Sequence, residues 1–382
     1  MKKVFISGIS GCNSWGFIQE CAELGNKNTP MKWIPIRFAE YMYDADPENS
    51  RLKYEQWEEG ILQRSNSLDL LRDAAFNKLI DLVQEEKKAE ETSGKEAVLL
   101  LSTHATFWYH KSLLAGIEFN RVSELSPDYF VTITDDVLNI WNCIEQTDQD
   151  RWKVLSPIDI LEWREIETFV TEQMAKFSGQ SRNPKPFYLI SYRFTPQLLM
   201  ELIAHPERKK YYRSYPISFV KGHPEVQQQA DQLGKKLEEY GIIFDPMAIK
   251  DYDRKAELQE KYINWCSDNK QGDASASWKE IENHLSYQTI SRDHRLIDQS
   301  DGIVVYYPEL DSYTLKDDNY VLSPIVPFSS GVLDEMQYAI QKGKEVLLVW
   351  ISKNDPGPFL AKIYSKMFNN IDELMNNFNK NV

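Results

Sequence analysis

The sequence is poor in cysteine and lacks the spacing of a thiolate metal site. Its four cysteines are scattered through 382 residues as Cys12, Cys21, Cys143 and Cys266. They form no C-x-x-C pair and have no companion histidine cluster, so neither a disulfide framework nor a structural zinc site is indicated. We therefore expect free thiols in a reducing compartment and no bound metal.

A long apolar run is also absent. A membrane-spanning helix needs about 20 consecutive apolar residues, and no segment of the sequence approaches that length. Met1 leads directly into Lys-Lys-Val-Phe-Ile-Ser-Gly, which lacks the apolar core of a secretory signal. The sequence therefore predicts a cytoplasmic protein that does not associate with a membrane.

Positive charge is in deficit, because 44 Lys and Arg stand against 58 Asp and Glu, for a formal net charge of -14. Phosphate backbones are held largely by Lys and Arg, so this balance argues against a nucleic-acid polymer as the main partner. A small nucleotide stays compatible with it, because one pocket needs only a few local donors. With 42% hydrophobic and 27% charged residues, the composition is that of an ordinary globular protein.

Short apolar runs alternate with helical segments along the whole chain. This pattern predicts an α/β protein with two doubly wound, Rossmann-like parallel sheets, and the length also favours two domains. The polar segment that starts at His205 interrupts the pattern, and a second strand-and-turn unit starts at Tyr211. We therefore expect one domain at 1–205 and another at 211–382.

Two polar stretches lie inside the second predicted domain. Residues 245–277 predict loops and a short helix, and the insertion from Leu310 to Phe328 precedes a helix that begins near Gly331. Excursions of this length are usually lids or interface arms.

The turn after the first strand is a candidate nucleotide loop, formed by Gly8, Ser10, Gly11 and Ser14. Backbone N–H groups and a helix N-terminus at such a turn can receive a phosphate. A working P-loop requires G-x-x-x-x-G-K-[ST], and its last three positions are Asn-Ser-Trp here. The lysine that would neutralise a transferring phosphate is therefore missing.

Three features of the first half nevertheless resemble P-loop nucleotide-kinase-like domains: the strand-turn-helix start, Leu101-Ser-Thr-His-Ala and Trp163-Arg-Glu. The resemblance implies a magnesium-organising aspartate at the end of the core strand, where Ser102 stands. We interpret this half as a degenerate kinase-like domain without phosphoryl transfer, which either binds a nucleotide or only acts as a scaffold. Arg164, flanked by glutamates, is expected to be an exposed salt-bridge partner.

Two carboxylates of the second half could face one crevice. Asp293 lies on a predicted helix before the strand Ile303 to Tyr306, and Glu335 lies one turn into the helix that follows the insertion. Ligands bind above the carboxyl ends of parallel strands, where these two segments meet. A retaining mechanism at a sugar needs a nucleophilic carboxylate and an acid for the leaving group, for which Glu335 and Asp293 are candidates. Taken singly, each is equally well an ordinary surface carboxylate.

The ordered pattern Asp293, Ser300-Asp-Gly-Ile-Val, Gly331-Val-x-x-Glu and Ala339-x-x-x-Gly-Lys resembles the nucleoside 2-deoxyribosyltransferase family, and most closely its nucleoside 5′-monophosphate N-glycosidases. The likeness covers about residues 211–351. It implies that Glu335 is the nucleophile and that Asp293 assists departure of the base. The transferase branch has an aspartate where Ser329 stands, and a serine there resembles the branch whose serine contacts the phosphate.

The candidate substrate-binding residues come from three places: the helix N-terminus, the turn before the strand and the first loop of this half. They are Ser329, Ser330, Gly331, Asp301, Tyr215, Ser218 and Lys221. The first loop departs from the family pattern, because its glycine is delayed to Gly222. The resemblance implies no metal and no other cofactor, and it implies a homodimer or higher homo-oligomer, because family members complete their pockets with a neighbouring subunit.

The sequence thus predicts an N-glycosidase that hydrolyses the base–sugar bond of a (deoxy)nucleoside 5′-monophosphate or related nucleotide through a glycosyl intermediate on Glu335. One alternative is a glycohydrolase of an NAD-type dinucleotide, which uses the same chemistry in a larger pocket. The other is a non-catalytic module that senses a nucleotide or binds a partner protein.

Overall fold

The computed structural model describes residues 1–49, 53–61, 65–109, 112–146, 155–179, 183–269, 274–316, 319–358 and 360–380. The chain divides into two compact units, one formed by Met1–Ala204 with Ala248–Thr289 and the other by His205–Met247 with Ile290–Val382. Each unit contains a five-stranded parallel sheet flanked by helices. The predicted pair of doubly wound α/β domains is confirmed.

The first unit alternates strands and helices in the order expected for parallel pairing. Its elements up to residue 204 are β1 Lys2–Ser7, α1 Ser14–Asn28, β2 Lys32–Arg37, α2 Phe38–Ala45, α3 Tyr54–Gly60, α4 Ser65–Ser93, β3 Ala97–Ser102, β4 Thr106–Tyr109, β5 Ser112–Ala115, α5 Phe119–Leu125, β6 Tyr129–Thr134, α6 Val137–Glu145, α7 Pro157–Ser178, β7 Phe187–Ser191 and α8 Pro196–Ala204.

The main sheet of this unit has the strand order β2-β3-β1-β6-β7, and every neighbouring pair is parallel. All six residues of β3 are buried, as expected for a strand covered on both faces. Strand order reverses at β1, so the crevice of this unit lies at the carboxyl ends of β1 and β6. Strands β4 and β5 form a separate antiparallel hairpin.

The second unit is built in the same way. Its elements are β8 Lys210–Ser214, α9 Ile217–Val220, α10 Pro224–Glu238, β9 Ile242–Phe244, the last part of α12 Ala274–Asp298, β10 Gly302–Tyr307, β11 Leu310–Lys316, β12 Asn319–Ile325, α13 Ser330–Gln341, β13 Glu345–Trp350, β14 Lys366–Phe368 and α14 Ile371–Asn379.

The strand order of this sheet is β14-β13-β10-β8-β9, again with parallel neighbours throughout. The chain adds β9 on one side of β8 and β10 on the other, so the switch point lies between β8 and β10. None of the helices within the described ranges is long and apolar enough to cross a membrane.

The insertion before α13 forms an antiparallel hairpin of β11 and β12, with Leu310 opposite Ile325 and Lys316 opposite Asn319. The sequence predicts a polar interruption at this stretch. Its runs Ser-Tyr-Thr-Leu and Tyr-Val-Leu carry the β-branched and aromatic residues that favour strands, and that local signal was outweighed by the surrounding charges.

Residues 248–289 belong to the first unit, although the sequence analysis placed them in the second domain. They form α11 Lys255–Asp268, where loops and a short helix were expected, and most of α12, which was predicted as a helix. Apolar side chains of both helices pack with Trp141 and Trp163 of the first unit, namely Leu258, Tyr262, Cys266, Trp278, Ile281 and Leu285. Burial of this face outweighs proximity along the chain.

Buried ion pairs fasten the same segment. Arg164 of α7 and Asp251 keep 10% and 3% of their side chains exposed and pair at 2.8 Å. Arg254 pairs at 3.1 Å with Asp136, which also binds Arg193 at 2.5 Å. The expectation that Arg164 is an exposed salt-bridge partner is therefore wrong, because its partner comes from a segment distant in sequence.

We expect Arg164→Ala to destabilise the first unit by about 3–5 kcal/mol, because it leaves the Asp251 carboxylate buried without this cation. Denaturant unfolding followed by tryptophan fluorescence measures this loss, since eight of the nine tryptophans among the described residues lie in the first unit and Trp350 lies in the second. Lys176→Ala is the control: Lys176 lies on the same helix, is 53% exposed and pairs with Glu172, so less than about 1 kcal/mol should be lost. Equal losses of unfolding free energy in the two variants would contradict the burial of the Arg164–Asp251 pair.

Candidate active site

Glu335 lies at the switch point of the second sheet, at the carboxyl ends of β8 and β10. Its two carboxylate oxygens are both held: the Tyr212 hydroxyl donates to Oε1 at 2.9 Å, and the Ser214 hydroxyl donates to Oε2. Alternate residues of a strand point to the same face, which is why Tyr212 and Ser214 of β8 reach one group. The carboxylate is therefore fixed in position where ligands bind in such sheets.

Asp293 lies close enough to Glu335 for its negative charge to raise the Glu335 pKa. Its own carboxylate is 13% exposed, and the Arg292 guanidinium donates to its Oδ1 through Nε at 2.9 Å and Nη2 at 2.8 Å. Burial raises the Asp293 pKa, and Arg292 opposes that effect. The structure thus brings the two predicted carboxylates into one electrostatic field.

Helix α12 carries Asp293 and helix α13 carries Glu335. The residues next to these carboxylates join the two helices. His294 lies 2.9 Å from Asp334 through Nε2 and Oδ2. The His294 ring is stacked on that of Tyr338, with centroids 3.8 Å apart and planes 3° from parallel. The Tyr338 hydroxyl donates to Asp298 at 2.9 Å. These contacts fix the spacing between the two helices and hence between Asp293 and Glu335.

The pKa of Glu335 is raised to about 8. Burial is the largest cause and the charge of Asp293 adds to it, while the hydrogen bonds from Ser214 and Tyr212 and the charge of Arg292 lower the pKa. Desolvation therefore outweighs the two hydroxyl donors. Glu335 therefore holds its proton more tightly than an ordinary glutamate, as closely spaced acidic groups in active sites commonly do.

The N-terminus of α13 borders this site. Ser329 caps the helix and accepts from the Val332 N–H at 3.4 Å, and no acidic residue lies in the first turn. Ser330 and Gly331 are exposed, and a Cβ on Gly331 would meet only the Ser329 hydroxyl, at 3.9 Å. The N–H groups of Ser330 and Gly331 are thus accessible to an anion.

Tyr307, the last residue of β10, was missed by the sequence analysis. It is 2% exposed, and burial together with the charge of Glu335 raises its pKa to about 12. Within the described part of the chain, its hydroxyl has no hydrogen-bond partner. The signal that could have found it is its place at the carboxyl end of a strand at the switch point, as for Tyr212 and Ser214.

Other predicted residues lie away from Glu335. Asp301 is at the amino end of β10, where its Oδ2 accepts the Lys210 N–H at 2.8 Å, so it stabilises the opposite edge of the sheet. Tyr215 is buried in an apolar cluster of the second unit with Arg213 above its ring at 5.0 Å, on the other face from Ser214. Ser218 and Lys221 are exposed around the short helix α9.

The candidate nucleotide loop of the first unit is packed against its own protein. The Gly8 N–H donates to Glu167 at 3.2 Å, and this fully buried carboxylate also accepts from the Ala105 and Thr106 N–H groups at 2.8 and 2.7 Å. Gly11 adopts a φ of 89°, and a Cβ there would lie 2.8 Å from the Ile140 carbonyl. An internal carboxylate thus occupies the donor that a phosphate would need.

The two remaining loop residues, Ser10 and Ser14, are partly exposed, and Ser14 is the first residue of α1. The packing around Gly8 and Gly11 favours the scaffold alternative for this unit. No cluster of three or more His, Cys, Asp or Glu side chains suited to a metal occurs in the portion of the chain that the structure describes.

We expect Glu335→Gln to gain stability over the natural protein as pH rises from 5 to 9. The carboxyl group has a pKa near 4.5 when unfolded and about 8 when folded, so the folded state binds the proton more tightly and stability falls between these values. The neutral amide of the variant does not titrate, so the variant does not lose stability in this way. The difference should reach on the order of 2 kcal/mol, less than the full linkage because Glu335 is partly exposed.

Thermal unfolding of both proteins across this pH range measures the difference. Glu167, whose pKa burial raises to about 7, is present in both proteins and cancels. Asp372→Asn, which removes an 82% exposed carboxylate of the same unit, should follow the natural protein at every pH. Parallel curves for Glu335→Gln and the natural protein would show that Glu335 is not desolvated.

No model of a known protein family matches this chain, and no curated protein is significantly similar to it. Its function is therefore inferred from the residues and the geometry around Glu335.

Proposed function

We propose that the second unit is an N-glycosidase that hydrolyses the base–sugar bond of a nucleoside 5′-monophosphate or related nucleotide. The observation that carries this proposal is Glu335: a desolvated carboxylate held by Tyr212 and Ser214 at the switch point, with a second carboxylate, Asp293, in its field. A retaining glycosidase requires such a pair, one group to attack the sugar and one to protonate the leaving group.

In the first step, a Glu335 oxygen forms a bond to C1′ while the bond from C1′ to the base nitrogen breaks. The electron pair of the broken bond stays on the base, which takes a proton from Asp293. In the second step, water loses a proton to Asp293 and attacks C1′, which releases Glu335 as a carboxylate. Burial raises the Asp293 pKa, which suits a group that gives and regains a proton.

The reactive form has Glu335 ionised and Asp293 protonated. In the free protein the raised pKa of Glu335 makes this a minor form at neutral pH. The transition state of glycoside cleavage carries positive charge on the sugar, and that charge favours an ionised carboxylate beneath it. The hydroxyls of Tyr212 and Ser214 stabilise the same ionised form, because both donate to it.

The N-terminus of α13 supports a phosphate on the substrate. Its accessible first-turn N–H groups, the hydroxyls of Ser329 and Ser330 and the lack of an acidic residue in the first turn together suit an anion. Since Glu335 lies one turn further along the same helix, a nucleotide could place its phosphate at the helix start and its C1′ at the carboxylate. A homo-oligomeric pocket is part of this proposal, as the family resemblance implies.

We expect Glu335→Ala to lower the rate of base release by at least about 1,000-fold, because the nucleophile is lost. The measurement is chromatography of free base after incubation with a panel of ribo- and deoxyribonucleoside monophosphates and NAD. Asp372→Asn, an exposed carboxylate substitution in the same unit, should keep the natural rate.

The panel also separates the alternatives. Release of nicotinamide from NAD alone would favour the dinucleotide glycohydrolase. A nucleotide that raises the melting temperature without base release would favour the binding module. Base release that survives Glu335→Ala at full rate would rule out the proposed mechanism.

We expect Asp293→Asn to slow release of natural bases by roughly 100-fold or more and to slow release of p-nitrophenol from a p-nitrophenyl riboside 5′-phosphate much less. Natural bases need protonation to depart, whereas nitrophenolate does not, and general acid catalysis contributes about 100- to 10,000-fold. The two leaving groups are compared by single-turnover kinetics. Equal losses for both would show that Asp293 positions Glu335 or the substrate and is not the acid.

A further inference from the structure

The hydroxyl of Tyr307 is a buried polar group that the two catalytic steps leave unused. Its residue is 2% exposed, and its ring packs on Trp350 of β13 with centroids 5.5 Å apart, which fixes its position. No hydrogen-bond partner for the hydroxyl exists among the residues that the structure describes. Leaving a buried hydroxyl unpaired destabilises the folded protein, so a ligand that pairs with it is the simplest reason for its presence.

Tyr307 lies between the two ends of the proposed nucleotide site. Burial and the charge of Glu335 raise its pKa, and the nearby backbone N–H of Ser329, which lies outside hydrogen-bonding geometry, lowers it. Tyr307 is the last residue of β10, the strand against which α13 packs. The proposed function puts C1′ at Glu335 and the phosphate at the start of α13, and this binding mode places the sugar beside the Tyr307 hydroxyl. The proton of the Tyr307 hydroxyl has no acceptor within the described residues.

The chemistry of the substrate indicates which sugar atom meets this hydroxyl. A nucleophile that displaces the base of a β-nucleotide attacks C1′ from the face opposite the base. On a ribose, the 2′-hydroxyl projects from that same face and sits on the carbon next to C1′. A donor beside the nucleophile is therefore directed at the 2′-oxygen, and hydrogen bonds to the 2-hydroxyl strengthen in the transition state of glycosidases.

We propose that the Tyr307 hydroxyl donates a hydrogen bond to the 2′-oxygen of the substrate and thereby makes ribonucleotides its preferred substrate class. This rests on the proposed function, and it assigns the sugar that the sequence left open. A site built to pair with a substrate hydroxyl discriminates strongly against the analogue that lacks it, because its own polar group then stays unpaired.

The chain supplies a matched control in the neighbouring residue. Tyr306 is also buried at the end of β10, but it points to the other face of the sheet, where its hydroxyl donates to Gln229 at 2.8 Å. Tyr307→Phe and Tyr306→Phe each remove one buried hydroxyl from the same strand. They differ in whether that hydroxyl faces Glu335.

The experiment measures kcat/KM for base release from a ribonucleoside monophosphate and its 2′-deoxy counterpart with the same base. Because deoxynucleotides are intrinsically more reactive, the quantity compared between variants is the ribo-to-deoxy ratio. Tyr307→Phe should lower this ratio at least about tenfold, mainly through kcat on the ribonucleotide. Tyr306→Phe should leave it unchanged. A 3′-deoxyribonucleotide should behave like the ribonucleotide.

Thermal unfolding without ligand gives a readout that a structural role would not produce. Tyr307→Phe removes an unpaired hydroxyl, so its melting temperature should equal or exceed that of the natural protein. Tyr306→Phe leaves Gln229 without its donor and should lower the melting temperature. A comparable fall for Tyr307→Phe would show that the hydroxyl is already paired within the protein, which would overturn the proposal.

The remaining outcomes separate this inference from the proposed function. Base release that depends on Glu335 but shows the same ribo-to-deoxy ratio in Tyr307→Phe would overturn the assignment of Tyr307 alone. Tyr307→Phe could instead lose equal activity on ribo- and deoxyribonucleotides and none on unphosphorylated nucleosides. That result would show that the hydroxyl contacts the phosphate and would also overturn the assignment of Tyr307. Absence of Glu335-dependent release from every nucleotide would overturn both.

Discussion

The site of the second unit depends on one carboxylate that is taken out of water and held by two hydroxyls. Tyr212 and Ser214 fix both oxygens of Glu335 and favour its ionised form, whereas burial and the charge of Asp293 favour its protonated form. Burial prevails, because the pKa rises from 4.5 to about 8. The group is thus rigid in position and adjustable in charge, as a nucleophile that responds to charge developing on a substrate requires.

This arrangement follows from the topology of the sheet. The strand order places β8 beside β10 at the switch point, and the alternation of side chains along β8 directs Tyr212 and Ser214 to the face that α13 covers. The contact between His294 and Asp334 then sets the distance between α12 and α13. Main-chain geometry therefore brings the elements of the site together, and particular side chains then set the helix spacing and hold Glu335.

Sequence patterns predicted the elements with strong local signals, such as the wholly buried strand β3 and the helix that carries Glu335. They did not predict contacts made by residues distant in the chain. Arg164 was expected on the surface because Asp251, its partner, is 87 residues away. Asp301 belongs to a turn at the amino edge of the sheet, and only the register of β8 against β10 distinguishes that edge from the one with Glu335. Tyr212 has the apolar ring of an ordinary core residue, so only its place near the carboxyl end of β8 could have singled out its hydroxyl.

Each unit keeps a desolvated glutamate beside its central strands, and the partners of the two glutamates differ. Glu167 accepts three backbone N–H groups and the Thr106 hydroxyl, is fully buried, and joins the ends of β1 and β3. Backbone donors cannot move away, so the Glu167 carboxyl group stays bound within the fold. Glu335 is held by side-chain hydroxyls, keeps part of its surface exposed and raises the pKa of Tyr307 through its charge. Side-chain donors can turn toward a substrate, and the proposed chemistry of Glu335 requires that freedom.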